Sequence, residues 1–337
     1  MAANIINPLG FRKPNSIFYR NIQEEAQFIN TLSLKDLTLN STSIHLGTGT
    51  GNYLTNQGEN AIAIGTNSGK NSQGNYSVAI GYNVGTLNQN IYSVALGSYA
   101  GYNSQGESAI SIGSNAGYTS QKIRAIAIGL YSGQQNQGDS AISIGSGSGN
   151  QTQGTGSIAI GSNAGNNNQG QKAITIGNNA GSINQGTNSI SIGEESGYSN
   201  QGVRSVSIGK SSGRSSQGYD SISIGSSAGY SNQGVSSIAI GTNAGFSNQQ
   251  NDSIAIGTRA GKFSNSNTIV IGKDAGSNSS SIVPSGCTVI GTGFDTSSTY
   301  LNTDSLFIKP IRTVNSTSGL KQLYYDPSSG EIVYYQP

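Results

Sequence analysis

The sequence is poor in the groups that do chemistry. Its 337 residues include one His, one Cys, one Met and no Trp, and only 9% are Asp, Glu, Lys or Arg. Soluble domains ordinarily carry about 25% charge, so a soluble helical bundle or coiled coil, which needs a charged outer face, is excluded. Acid–base and nucleophilic catalysis draw on His, Cys and carboxylates, and their scarcity argues against most enzymes. The single Cys287 makes no intrachain disulfide, so the redox compartment is unreadable. Net charge is +2 with Lys and Arg scattered, which leaves no basic stripe for nucleic acid. No apolar run reaches the roughly 18 residues of a membrane-spanning helix. The first residues lack the apolar stretch of a secretory leader, and the expectation is a protein made in a cytosol and not exported by the general route.

Glycine is present in excess: 49 residues, about twice the usual share. Together with Ser, Asn and Gln it would suggest disorder, but the placement is regular. Gly65, Gly81, Gly97, Gly113, Gly129, Gly145, Gly161, Gly177, Gly193, Gly209, Gly225, Gly241 and Gly257 recur at an unbroken spacing of sixteen. Each closes a small–aliphatic–small–aliphatic–Gly motif such as Ser157-Ile158-Ala159-Ile160-Gly161. A second glycine follows four residues later, from Gly69 to Gly261, and Gln fills the thirteenth position twelve times, from Gln73 to Gln249. Irregular copies flank the array at 44–47, 269–272 and 289–291, which implies about sixteen coils in all.

Alternation at period two means a strand with one aliphatic face and one small, flat face. Position five ends that strand, positions six to nine turn, and positions ten to fourteen make a second, polar strand or corner. Sixteen residues are too few for a β-α-β unit and suit one rung of a parallel β-solenoid. Stacked rungs put Ile on Ile and Gln on Gln about 4.8 Å apart, a rod roughly 75 Å long over the array. With the two aliphatics per coil taken as the core, that core is thin against the backbone entropy of each rung. The expectation is an obligate homo-oligomer packed along the continuous Ala/Ser face, with a homotrimer the simplest closed arrangement.

The repeat, as in Ser237-Ile238-Ala239-Ile240-Gly241 followed by Asn243-Ala244-Gly245, resembles the head repeats of trimeric autotransporter adhesins over about residues 43–291. That resemblance implies a left-handed parallel β-roll wound as a homotrimer. Adhesin coils typically have fourteen residues, so sixteen imply a different cross-section. The C-terminal segments Ser305–Arg312 and Leu323–Ile332 resemble the end of repeat-rich proteins of large DNA viruses and of phage-type fibres. The chain accordingly divides into an N-terminal cap or anchor (1–42), the solenoid array (43–291) and a C-terminal strand and β-hairpin tip (292–337).

Candidate sites are few. Arg12, Lys13 and Arg20 are the candidate anchor to a capsid or other virion protein; the same segment also serves as the cap a solenoid end needs. Position ten varies within the fixed frame. Its aromatics Tyr102, Tyr118, Tyr198, Tyr230 and Phe246 are candidates for contact with a host glycan or receptor, or they stack on one another along the corner. Tyr324, Tyr325, Tyr334 and Tyr335 crowd the hairpin, as a tip core or as receptor contacts. No cofactor or metal is expected. The Gly-rich corners lack GK[ST], no Asp recurs as in calcium-binding repeats, His45 has no second ligand near it, and Glu194-Glu195 reads as a solvated corner. Cys287 reads as a small buried residue of the last coil.

The leading expectation is therefore a non-enzymatic fibre or spike of a virion, a rigid trimeric spacer used in host attachment. The alternative is a cell-surface adhesin head. Two further rivals are an ice-binding solenoid using flat Ser/Ala/Thr ladders and a glycan-cleaving tail spike, which needs paired carboxylates in a groove.

Overall fold

The computed structural model describes residues 43–50, 57–277, 282–293, 303–309, 323–326, 328–329 and 331–334. Arg12, Lys13 and Arg20 lie outside the described residues, in the first of two units, residues 1–41; the strands lie in the second, 42–337. Each regular turn contributes two short strands, as Ile158–Ile160 and Asn167–Gln169 do. Among the described residues the first set stacks into a 17-stranded sheet and the second into an 11-stranded one.

Pairing is parallel, with each residue opposite its equivalent one turn away. Ile158 lies between Ile142 and Ile174, and Gln153 between Gln137 and Gln169. The protein is an all-β parallel β-solenoid. The ladder runs past residue 291, because Leu306–Lys309 pairs parallel with Thr288–Gly291. Leu323–Asp326 and Glu331–Tyr334 form an antiparallel hairpin.

Closing a ring in sixteen residues takes five left-handed corners. In the turn 157–172 these are Gly161 (φ 126°), Asn163 (52°), Gly165 (52°), Asn168 (57°) and Lys172 (55°). At Gly161 the requirement for glycine is absolute, since a Cβ would sit 2.6 Å from the Gly177 carbonyl oxygen at a φ that L residues rarely adopt. The corners at 163, 168 and 172 lie in the ordinary left-handed region, which Asn tolerates best. Corner amides donate to a neighbouring turn, as Gly161 N does to Ile144 O (2.8 Å) and Gly165 N to Ala180 O (2.9 Å). Among the described residues the backbone is thereby satisfied without helix.

The sidedness of the strands is the reverse of the sequence expectation. Ser157 and Ala159 are fully buried, while Ile160 is 36% exposed. The small face points into the coil and the aliphatic face points out, so the Ala/Ser face is not available for packing between chains. The reason is space. Five tight corners leave a lumen too narrow for two isoleucines per turn, and it is filled by Ala, Ser and the amide of the position-thirteen glutamine. Gln73, Gln89, Gln105, Gln121, Gln137, Gln153 and Gln249 rank with Val84, Val270, Val283, Val289 and Thr175 as the largest fully buried side chains.

Most of the glutamine amides are held on more than one side. Gln153 Nε2 donates to Ile142 O (2.8 Å) in its own turn and to Gln169 Oε1 (3.1 Å) in the next. Beyond Gln249 the amide ladder gives way to an apolar cluster of Val270, Val283, Cys287 and Val289, with Phe307 packed against it.

Candidate functional site

Three features of the surface are built by the repeat. The first is an aliphatic stripe. Positions two and four project outward from every strand of the larger sheet. Ile80, Ile144, Ile176 and Ile224 are each 37% exposed. From Ile62 to Ile256 these two columns contain only Ile, Val and Leu.

The second feature is the position-ten corner, where the aromatics fall into two separate clusters. Tyr102 stacks on Tyr118 with ring centroids 5.0 Å apart and 6° between planes. Tyr230 stacks on Phe246 in the same way, 5.0 Å and 8°, and Arg214 lies over both Tyr198 (5.2 Å) and Tyr230 (5.6 Å). Lys262 covers the Phe246 ring at 5.7 Å. Tyr198, Tyr230 and Phe246 thus belong to a cation–aromatic pile whose ring faces are occupied by neighbours. Tyr82 and Tyr99 join the first cluster, at 5.5 Å from each other and with Tyr99 5.8 Å from Tyr102. Sequence reasoning missed both because they stand at positions six and seven; of the two only Tyr99 is marked, by standing in a column where six of thirteen residues are Asn.

The third feature is a set of ion pairs that run along the axis. Glu194 takes Lys210 Nζ at 3.0 Å and Glu195 takes Arg214 Nε at 3.0 Å, while Arg204 pairs with Asp220 and Arg259 with Asp274. The hydrogen bond from Arg214 holds the Glu195 carboxyl below its ordinary range, against a smaller opposing effect of burial. Glu194 and Glu195 each engage a base on the following turn, so they link turns and do not face each other as a catalytic pair would.

The Ser/Ala/Thr ladder on which ice binding rested is buried, Thr175 included, and does not meet water. His45 sits in register with Ala63; its Nδ1 is buried without a hydrogen-bond partner, and burial lowers its pKa. Among the described residues no three His, Cys, Asp or Glu side chains gather as metal ligands. Two depressions of about 400 Å³ are lined by Asn, Gln, Ser, Gly and single aromatic or aliphatic side chains, with no titratable acid or base in reach except Tyr219. Tyr324 and Tyr325 are 49% and 67% exposed on the hairpin; the Tyr334 side chain and Tyr335 lie outside what is described. Comparison with protein-family models, curated proteins and solved structures finds no match for this chain.

Proposed function

We propose that the chain is a non-enzymatic structural protein, a fibre or spike of a large-DNA-virus or phage-like virion, in which three copies form a rigid spacer that serves host attachment. The observation that carries the reading is the aliphatic stripe. Each position-four isoleucine leaves on the order of 60 Å² of apolar surface in water. Thirteen regular turns then expose about 800 Å² before the second column is counted. That exceeds the largest apolar patch of an ordinary monomer, roughly 300–600 Å², and reaches the ~800 Å² per partner of a stable interface. A second and third copy offer the same flat, uncharged stripe with the same axial repeat. Threefold closure hides all three stripes on one axis.

The scarcity of His and Cys, together with ion pairs that occupy Glu194 and Glu195, supports mechanical work over catalysis. The likeness of Ser305–Arg312 and Leu323–Ile332 to viral and phage fibre ends supports the virion. The repeat motif itself favours a second reading, the head of a cell-surface adhesin, which uses the same trimer on a different anchor. Light scattering on the 34.5 kDa chain tests the assembly: a mass near three chains is expected, and a stable monomer overturns it. Mass spectrometry of purified particles against host membranes separates virion from cell surface.

A further inference from the structure

The two aromatic clusters differ in kind. In the C-terminal one Tyr230 and Phe246 lie parallel and Arg214 and Lys262 cover the rings of Tyr198, Tyr230 and Phe246, which is the arrangement an axial ladder produces by itself. In the N-terminal one the rings turn. Tyr99 is tilted by 54° and 57° to the Tyr102 and Tyr118 rings, and Tyr82 stands at 85° to Tyr99. Tyr82 and Tyr99 therefore add ring surface in new directions instead of extending the stack. Tyr82 is 50% exposed, and Tyr99 keeps partial exposure.

Tyr99 also occupies a corner that does not suit it. Its φ is 58°, at a position where Asn stands in six of the thirteen turns. A bulky residue in left-handed conformation is strained relative to Asn. Tyr76, Tyr92 and Tyr131 share that conformation, but Tyr99 alone joins a bent cluster of four rings. The ion pairs from Glu194 to Asp274 and the cation–ring contacts from Tyr198 to Phe263 belong to the C-terminal half, and none of them involves Tyr82, Tyr99, Tyr102 or Tyr118.

We infer that Tyr82, Tyr99, Tyr102 and Tyr118 form a binding patch for a neutral glycan. Phenol rings offer apolar faces to the C–H surface of a pyranose and hydroxyls to its rim. Tyrosine with surrounding Ser, Asn and Gly is the composition of adaptable recognition surfaces. The absence of ionic partners selects against acidic sugars, whose charge would lose water without compensation. The patch exposes on the order of 200–300 Å² of ring, well short of the ~800 Å² a protein partner needs, and enough for one or two sugar rings. The inference goes beyond the spacer reading and stands on one chain, whatever its oligomeric state.

The test uses the full chain on an array of neutral and sialylated or sulfated oligosaccharides, with affinities then measured by calorimetry. Retention of neutral glycans is expected. The double variant Tyr82→Thr, Tyr99→Asn, which restores residues the array already uses at positions six and seven, weakens that binding at least tenfold while melting temperature and solution mass are unchanged. Tyr230→Asn leaves binding as it was. The proposal is overturned by retention of no neutral glycan, by retention of acidic glycans alone, or by equal binding in the double variant.

Discussion

Inside the turn 141–156 the Ser143 hydroxyl donates to Gln153 Oε1 at 2.6 Å. The same contact recurs from Ser111 to Gln121, Ser191 to Gln201, Ser207 to Gln217 and Ser223 to Gln233, at 2.5–2.7 Å. Where position three is Ala and no neighbouring glutamine reaches across, the acceptor is left alone: Gln73, Gln89 and Gln105, behind Ala63, Ala79 and Ala95, have buried Oε1 atoms without a partner. Thr175 turns its hydroxyl to Ile158 O at 3.2 Å, and Gln185 Oε1 is orphaned as well. The irregular alternation of Ala and Ser at position three is therefore an alternation in how the amide core is satisfied.

Ser143→Ala leaves a buried acceptor unmade and lowers stability by about 1–3 kcal/mol. Ala95→Ser supplies a missing donor and raises it by about 0.5–1.5 kcal/mol. Thermal and urea unfolding of the two variants must give shifts of opposite sign. Shifts of the same sign would show that the hydroxyl acts through packing and not through the amide.

The glycines divide by what a Cβ meets. Gly161→Ala places a methyl 2.6 Å from Gly177 O at a φ of 126° and lowers stability by at least about 3 kcal/mol. Gly156 also has positive φ, 66°, but a Cβ there meets only Lys172 Cγ at 3.8 Å. Asn holds the equivalent corner at Asn188 (φ 58°). Gly156→Asn therefore changes stability by no more than about 0.5 kcal/mol, the left-handed cost to Asn offsetting the entropy it removes from the unfolded chain. Melting temperatures of the two variants decide; a neutral Gly161→Ala would mean the turns separate easily.

Much of this was legible in the residues. The period of sixteen, the strand at Ile158–Ile160, the polar strand ending at Gln169 and the stacking of like on like follow from spacing alone. The direction of the strand did not. Alternation separates Ile158 and Ile160 from Ser157 and Ala159 but carries no sign, and the habit of placing aliphatics inside gave the wrong one. The sign is set by lumen width, which depends on five left-handed corners, and only those at Gly161 and Gly165 are marked by glycine. Gln169 and its equivalents, polar and unvarying at position thirteen, were the available clue that the interior is built of amides. The bent ring cluster was illegible because Tyr82 and Tyr99 meet across turns at different positions.

Acid acts on two places in succession. His45 has its pKa lowered by burial from 6.5, so the unfolded chain takes up the proton first, and the first turn loses stability as pH falls below that value. Glu195 is lowered from 4.5 by Arg214, and Asp220 and Asp274 from 3.8 by Arg204 and Arg259. Their contribution is complete above those values and is lost as pH falls through the depressed folded ones. The pairs are exposed or only partly buried, so the second effect is small and is screened by salt. Hydrogen exchange should show protection near residues 44–46 falling before protection across 194–274. The reverse order would remove His45 as the first group to act.

The stripe makes the sharpest prediction about assembly. Ile160 and Ile176 lie in adjacent turns, directly paired across the ladder, and their side chains point away from the amide core. In a lone chain, Ile160→Lys and Ile176→Lys put two long stems on a wet surface with their charges in water, and the melting temperature of the monomer should scarcely change. In a trimer the same pair places six ammonium groups on a dry axis, where unpaired charge is prohibitive. The double variant should therefore run at the mass of one chain while its far-ultraviolet circular dichroism stays that of the parent. Ser157→Lys, on the buried small face, should instead destroy the fold. If the isoleucine variant keeps the parent's mass, the stripe is not what joins the chains.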